Sequence, residues 1–208
     1  WNLEALLTIE KETGKKVFNI LQVRLHPAIK ALKKKIEKVS TGQILDVDLT
    51  YITARGNWYY RSWKGDPEKS GGIATNIGVH FFDLLTWIFG PVSKNTVHLL
   101  KPNKAAGFLQ LEKARVRWFL SLEQEDIPAN LRQTGARTFR SLTVEKDEIE
   151  FSDGFTELHT ESFKEIIAGR GFGMLEAKPG IEIVHDIRVA DPIGLKNDYH
   201  PILKTLKT

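Results

Sequence analysis

His80 is the residue whose setting best suits chemistry. It closes the segment Gly71-Gly72-Ile73-Ala74-Thr75-Asn76-Ile77-Gly78-Val79-His80, and Phe81-Phe82-Asp83 follow. The paired glycines permit a tight loop or a close ligand approach. Thr75 or Asn76 is of a type that caps a following helix, which would set His80 in its first turn with the ring toward a cavity. A histidine near a helix N-terminus is held toward its neutral form by the dipole and can accept a proton. That is the service an alcohol oxidation needs, a base for the hydroxyl proton as hydride leaves the carbon. The same pattern also suits a satisfied core or capping histidine. Asp83, three residues on, either orients the His80 ring or bonds locally.

A second group precedes it. Residues 55–69 carry Arg55, Trp58, Tyr59, Tyr60, Arg61, Trp63 and Lys64. Arginine forks match carboxylate and phosphate, and exposed tyrosines can cover sugar or base faces. Each of these residues alone also fits ordinary packing or surface. Trp58 and Trp63 read as packing residues rather than ligand stackers.

The elements that must position these groups follow from periodicity. Asn2 suits a helix N-cap, with Leu3, Leu6 and Leu7 on one face and Gly14 as the stop. Residues 17–25 read as an apolar strand. Pro27 opens a second helix with Ile29, Leu32, Ile36 and Val39 at helical spacing. Its Lys33-Lys34-Lys35 run is the solvated face of that helix. Leu45, Val47, Leu49 and Tyr51 alternate with polar residues as in a half-buried strand. A short helix ends at Phe89 before Gly90-Pro91. Residues 92–159 read as an antiparallel meander, with turns at Glu112-Lys113 and Asp153-Gly154. Helical patterns return at 159–168 and 181–189, and the tail from Asp191 is loop-like. The expected class is α+β, with an open, mainly antiparallel sheet and helices on one face.

Composition bounds the function. The 208 residues are 41% hydrophobic and 27% charged, with no cysteine and a net charge of +4. Disulfide and thiol chemistry are excluded. No metal site, no apolar run near the ~20 residues of a membrane helix and no signal pattern is read from the sequence. A cytoplasmic protein is expected, with no membrane and no nucleic-acid partner. Gly169-Arg170-Gly171-Phe172-Gly173 is not GxGxxG and follows a helix rather than a strand, so no cofactor loop is assigned to it. The chain opens on Trp1 and its one methionine is Met174, from which we expect sequence upstream.

GG-x3-N-x-G-x-H followed by Phe81-Phe82-Asp83 resembles the substrate-domain signature of the glucose–fructose oxidoreductase / inositol dehydrogenase / MocA family. Gln22-Val23-Arg24-Leu25-His26-Pro27 is similar to its strand entering the second domain. Trp1-Asn2 resembles the start of the helix after its Glu-Lys-Pro motif. Within the family, Arg55-Gly56-x-Trp58-Tyr59, Ser62-Trp63-Lys64-Gly65-Asp66 and Lys69-Ser70-Gly71-Gly72 resemble the WlbA and WbpB group. Those bacterial dehydrogenases oxidise C3 of UDP-N-acetyl-glucosaminuronic acid for surface polysaccharide.

The resemblance implies that 1–208 form a substrate-binding and oligomerisation domain, with 1–14 as the helix after that motif and a Rossmann domain lying outside this chain. It implies His80 as the catalytic proton-handling residue, paired with an upstream lysine. It implies Arg24, Arg55, Tyr59, Tyr60, Thr75 and Asn76 as substrate contacts, where Asn76 replaces the family's usual aspartate. NAD would be bound chiefly by the other domain, so this chain alone would be inactive. A homo-dimer or tetramer through the sheet face is implied. The alternatives are another sugar or cyclitol dehydrogenase of the family, or a non-catalytic oligomerisation module.

Overall fold

The structure, a computed structural model, describes residues 2–205; Trp1, counted in the predicted first helix, lies outside them. Helix α1 spans Asn2–Thr13. The predicted strand at 17–25 does not form. One isolated bridge joins Asn19 to Phe172, and Gln22–Leu25 is a 3-10 turn. That tight turn points Val23, Arg24 and Gln22 inward together, which an alternating strand could not do.

Helix α2 (Pro27–Ile36) starts at Pro27, and the His26 ring caps it from outside, accepting from the Ala28 N–H at 3.2 Å. Strand β1 (Leu45–Thr53) follows. The aromatic stretch after it is broken into α3 (Asn57–Arg61), a 3-10 turn at Trp63–Gly65, and α4 (Pro67–Ser70). Gly71 then turns the chain at φ +78, a conformation glycine adopts without cost. A π-helical segment, Ala74–Gly78, runs directly into α5 (Val79–Phe89).

Strands β2 (Val92–Leu100), β3 (Lys104–Leu111) and β4 (Ala114–Ser121) form a meander whose β3–β4 turn falls at Glu112-Lys113 as expected. After α6 (Ala129–Gln133) come β5 (Thr138–Val144) and β6 (Asp147–Glu150). Their hairpin turns at Glu145, with φ 57. Asp153-Gly154 is only a bend beyond β6. Helices α7 (Leu158–Ile167) and α8 (Met174–Val189) complete the set. Helix α8 begins seven residues before the predicted 181, with Pro179 inside it.

The sheet order is β2-β3-β4-β1-β5-β6. The meander is therefore not continuous: β1 inserts between β4 and β5, parallel to β4 and antiparallel to β5. One face carries Leu45, Val47, Leu49 and Tyr51 of β1 with Val116, Trp118 and Leu120 of β4, buried under α2, α5 and α8. Helix α5 is the centre of this layer, with Phe82, Leu84, Leu85 and Phe89 at 0% exposure. Pro67–Phe89 is 23 residues and apolar enough, by length and composition, to cross a membrane. In this fold that apolarity is core. Gly180 lets α8 close on α5, since a Cβ there would lie 3.1 Å from the Asp83 Cα.

The opposite face is ionic at one end and apolar at the other. Arg115 forks Asp46, and Arg117 forks Asp48 and reaches Asp198. Farther along, Ile52, Ala106, Phe119 and Phe139 of the sheet cluster with Ile127 and Leu203. The tail read as a loose loop is thus laid across the sheet. His200 bonds Thr50 at 3.2 Å and stacks on Phe119.

Candidate functional site

His80 is not where the helix dipole would act on it. The π segment precedes α5 without a break, so neither Thr75 nor Asn76 caps it, and position N-cap falls to Gly78 with no side-chain bond. The imidazole is nevertheless held below its ordinary pKa. Burial is the main cause, and the charge of His159, at the start of α7, adds to it. Its Nδ1 is buried and meets no partner among the described residues. A neutral ring with an unsatisfied nitrogen is equipped to take a proton from a ligand. Asp83 does not orient it.

Asp83 is instead forked by Arg24, Nε to Oδ2 at 2.8 Å and Nη2 to Oδ1 at 2.6 Å. Arg24 is 3% exposed, also donates to the Glu176 carbonyl at 3.0 Å, and has Phe172 and Trp87 over its guanidinium. Arg24 is therefore a buried strut tying the 3-10 turn to α5 and α8, not a free substrate contact. Burial raises the Asp83 pKa more than Arg24 lowers it.

The remaining predicted residues divide by what they touch. Asn76 donates to the Tyr59 hydroxyl at 3.2 Å and to the Lys64 carbonyl at 2.9 Å. The Thr75 hydroxyl donates to the Gly71 carbonyl at 2.9 Å. Tyr59 is buried, contrary to the expectation of an exposed ring, and burial raises its pKa. Tyr60 is exposed, but its hydroxyl donates to Glu123 Oε1 at 3.2 Å. Partial burial, then the Glu123 charge, pushes it up to about 12. Trp58 and Trp63 are 53% and 58% exposed, which overturns their reading as packing residues. Lys64 lies over both indoles and Arg55 over Trp58. Arg55 Nε is buried with no acceptor among the described residues.

The structure thus joins Asn76, Tyr59 and Lys64 into one hydrogen-bonded unit a turn before His80. An aromatic and cationic rim of Arg55, Trp58, Trp63 and Lys64 continues from it. Sequence reasoning missed Arg140 on β5. It pairs with Tyr51 of β1, and Tyr51 packs on Phe81, the neighbour of His80, at 4.4 Å. An arginine at an inward position of a β-strand, between the outward-facing Phe139 and Ser141, was the available signal. No group of acidic or histidine side chains among the described residues is arranged to hold a metal. Nor do the described residues form a strand–GxGxxG–helix unit.

This open sheet under α2, α5 and α8 is shared with solved dehydrogenase structures. Residues 33–128 match the model of the GFO_IDH_MocA_C family, described as "Oxidoreductase family, C-terminal alpha/beta domain". Among solved structures, the chain is 45% identical to the WlbA (WbpB) dehydrogenase of Thermus thermophilus in complex with NAD and UDP-GlcNAcA. That match covers 96% of this chain and 64% of the other, with a TM-score of 0.91. A structure of the Thermus thermophilus WlbA (WbpB) dehydrogenase with NAD and alpha-ketoglutarate matches at 46% identity and a TM-score of 0.92, again over 96% and 64%. The Bordetella pertussis WlbA dehydrogenase shares the fold at 19% identity and a TM-score of 0.70, over 94% of this chain and 68% of the other. The chain therefore spans under two thirds of the Thermus thermophilus chains.

Proposed function

We propose that this chain is the substrate-binding part of a cytoplasmic, NAD-dependent dehydrogenase that oxidises the C3 hydroxyl of UDP-N-acetyl-glucosaminuronic acid for surface polysaccharide. The observation that carries this is the 45% identity, across 96% of the chain, to a dehydrogenase whose structure holds NAD and UDP-GlcNAcA. The site fits the reading. His80, neutral and with an unpartnered nitrogen, receives the hydroxyl proton as the carbon gives up hydride. Asn76 fixes Tyr59 and the Lys64 carbonyl and so shapes the wall beside that base. Arg55 and Lys64 supply positive charge for a diphosphate, and the exposed Trp58 and Trp63 supply flat surface for a base.

NAD is assigned to residues outside this chain, which contributes the proton side of the reaction. The 208 residues alone are accordingly expected to bind no nicotinamide and to show no turnover. Assembly through the outer sheet face is part of the same proposal. There Lys94, Thr96, Phe108 and Gln110 of β2 and β3 line a shallow depression of about 290 Å³ beside the tail. The test of function is NAD reduction by the whole protein. UDP-GlcNAcA should support it and UDP alone should not. No reduction with UDP-GlcNAcA, in protein that binds NAD, refutes the substrate assignment. Light scattering at tens of micromolar tests assembly (roughly the range where ordinary interfaces populate).

A further inference from the structure

Four arginines show how this chain uses a guanidinium. Arg24, Arg115, Arg117 and Arg170 each turn the Nε–Nη2 edge onto a carboxylate, of Asp83, Asp46, Asp48 and Glu165 respectively. Arg140 departs from that pattern. Its Nη1 donates to the Ser152 carbonyl at 2.8 Å, and its backbone N–H donates to the Ser152 hydroxyl at 2.8 Å. Its Nε is buried with no acceptor, and no carboxylate lies within ion-pair reach among the described residues. The guanidinium carbon sits 4.0 Å from the Phe155 ring centroid and 5.1 Å from that of Tyr51. The guanidinium is part-buried, but its buried Nε lacks the acceptor that such groups ordinarily have, and an anion's oxygen would complete it.

Its position says which anion. Arg140 lies on the helix-covered face of the sheet, beside Tyr51, whose ring rests on Phe81 next to His80. Arg55, the other arginine among the described residues whose unpartnered Nε is buried, lies beyond the end of β1, on the rim with Lys64 and the exposed Trp58 and Trp63. Four residues of extended chain separate Tyr51 from Arg55, about 13 Å. A nucleotide-linked uronic acid has two anionic regions, a diphosphate and a carboxylate. Two cations and an open aromatic rim suit the diphosphate and base. A single fork, fixed in plane by Ser152 and by rings on its faces, suits one planar carboxylate.

We propose that Arg140 is the residue that reads the sugar carboxylate and so selects an acidic over a neutral nucleotide sugar. This rests on the function proposed above. The test is calorimetric binding of UDP-GlcNAcA, UDP-GlcNAc and UDP to the whole protein and to Arg140→Met and Arg140→Lys, with thermal unfolding as a folding control. Wild type should prefer UDP-GlcNAcA over UDP-GlcNAc. Arg140→Met should weaken UDP-GlcNAcA by about 10- to 100-fold, the range for a lost charge-assisted hydrogen bond, and change UDP-GlcNAc and UDP by no more than about threefold. Arg140→Lys should recover part of the loss, as a point charge without the fork. Equal weakening of all three ligands, or undiminished UDP-GlcNAcA binding by Arg140→Met, overturns the assignment alone. Wild-type protein that binds none of the three overturns both the assignment and the function beneath it.

Discussion

Arg24 and Asp83, 59 residues apart in sequence, meet as a forked ion pair with both side chains almost wholly buried. Burial leaves the Asp83 carboxyl with a raised pKa in spite of the guanidinium. The pair therefore adds little net stability, yet it cannot lose one member cheaply. Asp83→Asn should destabilise the fold by about 3–5 kcal/mol because it leaves the buried Arg24 charge with only the more distant, half-exposed Glu176 carboxylate at 3.8 Å. Replacing both by apolar residues of similar volume should cost much less. Denaturant unfolding of the single and double variants decides it, and equal losses would remove the case for a strut.

His80→Ala should lower kcat by about 10²–10⁴ in the whole protein, with a smaller effect on KM, because the help is given mainly in the transition state. The pH profile carries more information. On the proposed role His80 works in its neutral form, and its pKa is held below the ordinary 6.5. The acid limb of kcat/KM should accordingly fall below 6.5. His159→Ala removes the charge that helps depress it, so the limb should move upward, toward 6.5. An unmoved limb would show that His80 does not set the profile.

Asn76 shows why an amide stands where the resembled family has aspartate. Its amide nitrogen donates to the Lys64 carbonyl, an acceptor that a carboxylate would oppose. Asn76→Asp should cost about 1–3 kcal/mol at neutral pH. The introduced carboxyl can donate as asparagine does only when it is protonated, so its folded-state pKa should be raised. Relative stability should then be better at acid pH and decline as pH rises through that value. Unfolding midpoints measured from pH 4 to 8 test this, and a flat difference from wild type would count against it.

Much of this arrangement was legible in the sequence. The period-2 pattern of Leu45 to Tyr51 and the helical spacing of Ile29, Leu32 and Ile36 follow directly from one-sided burial. The partner of β1 did not, because parallel pairing with β4 leaves no local signature. The glycine pair and His80 stood out, but the π segment removed the helix start on which the dipole argument depended. Arg24 carried the same residue type as a ligand-binding arginine, and only its meeting with Asp83 distinguished the two roles. The tail looked featureless because its contacts are singly spaced: Ile193 to Val97, Asp198 to Arg117, His200 to Thr50. One local signal was present: both His26-Pro27 and His200-Pro201 place a ring so that it caps the N–H two residues on.

His200 should make stability depend on acid. Its Nδ1 accepts from the Ile202 N–H, so Nε2 carries the hydrogen toward Thr50 and the ring is fixed neutral. Burial, then the Arg117 charge, lowers its pKa to about 3. The folded state binds fewer protons than the unfolded one between that value and 6.5. Its contribution is full above about pH 6.5 and is lost as pH falls toward 3, by on the order of 5 kcal/mol. His200→Gln should start less stable at pH 7 and lose less between pH 6.5 and 4. Parallel pH dependence in the two proteins would place the acid sensitivity elsewhere.

The wide turn at Ala74–Gly78 sets a limit on how this chain can change length. A π segment holds one residue more than the α-helical ladder would, and each residue of an α-helix advances about 100°. Deleting any one of these five residues would let the ladder close as ordinary α-helix. Everything before the deletion would then swing by that angle about the axis of α5, while His80 stayed in place. Asn76 would turn away from Tyr59 and the Lys64 carbonyl, and the aromatic rim would follow it. A residue gained or lost between Asp191 and Lys196, where the tail is exposed and tied to the sheet by the Ile193 bond to Val97 and a Lys196 backbone bond to His98, would move none of these groups. Variants one residue shorter should therefore divide sharply: folded but unable to bind nucleotide sugar when the loss falls in 74–78, and little altered when it falls in 194–196.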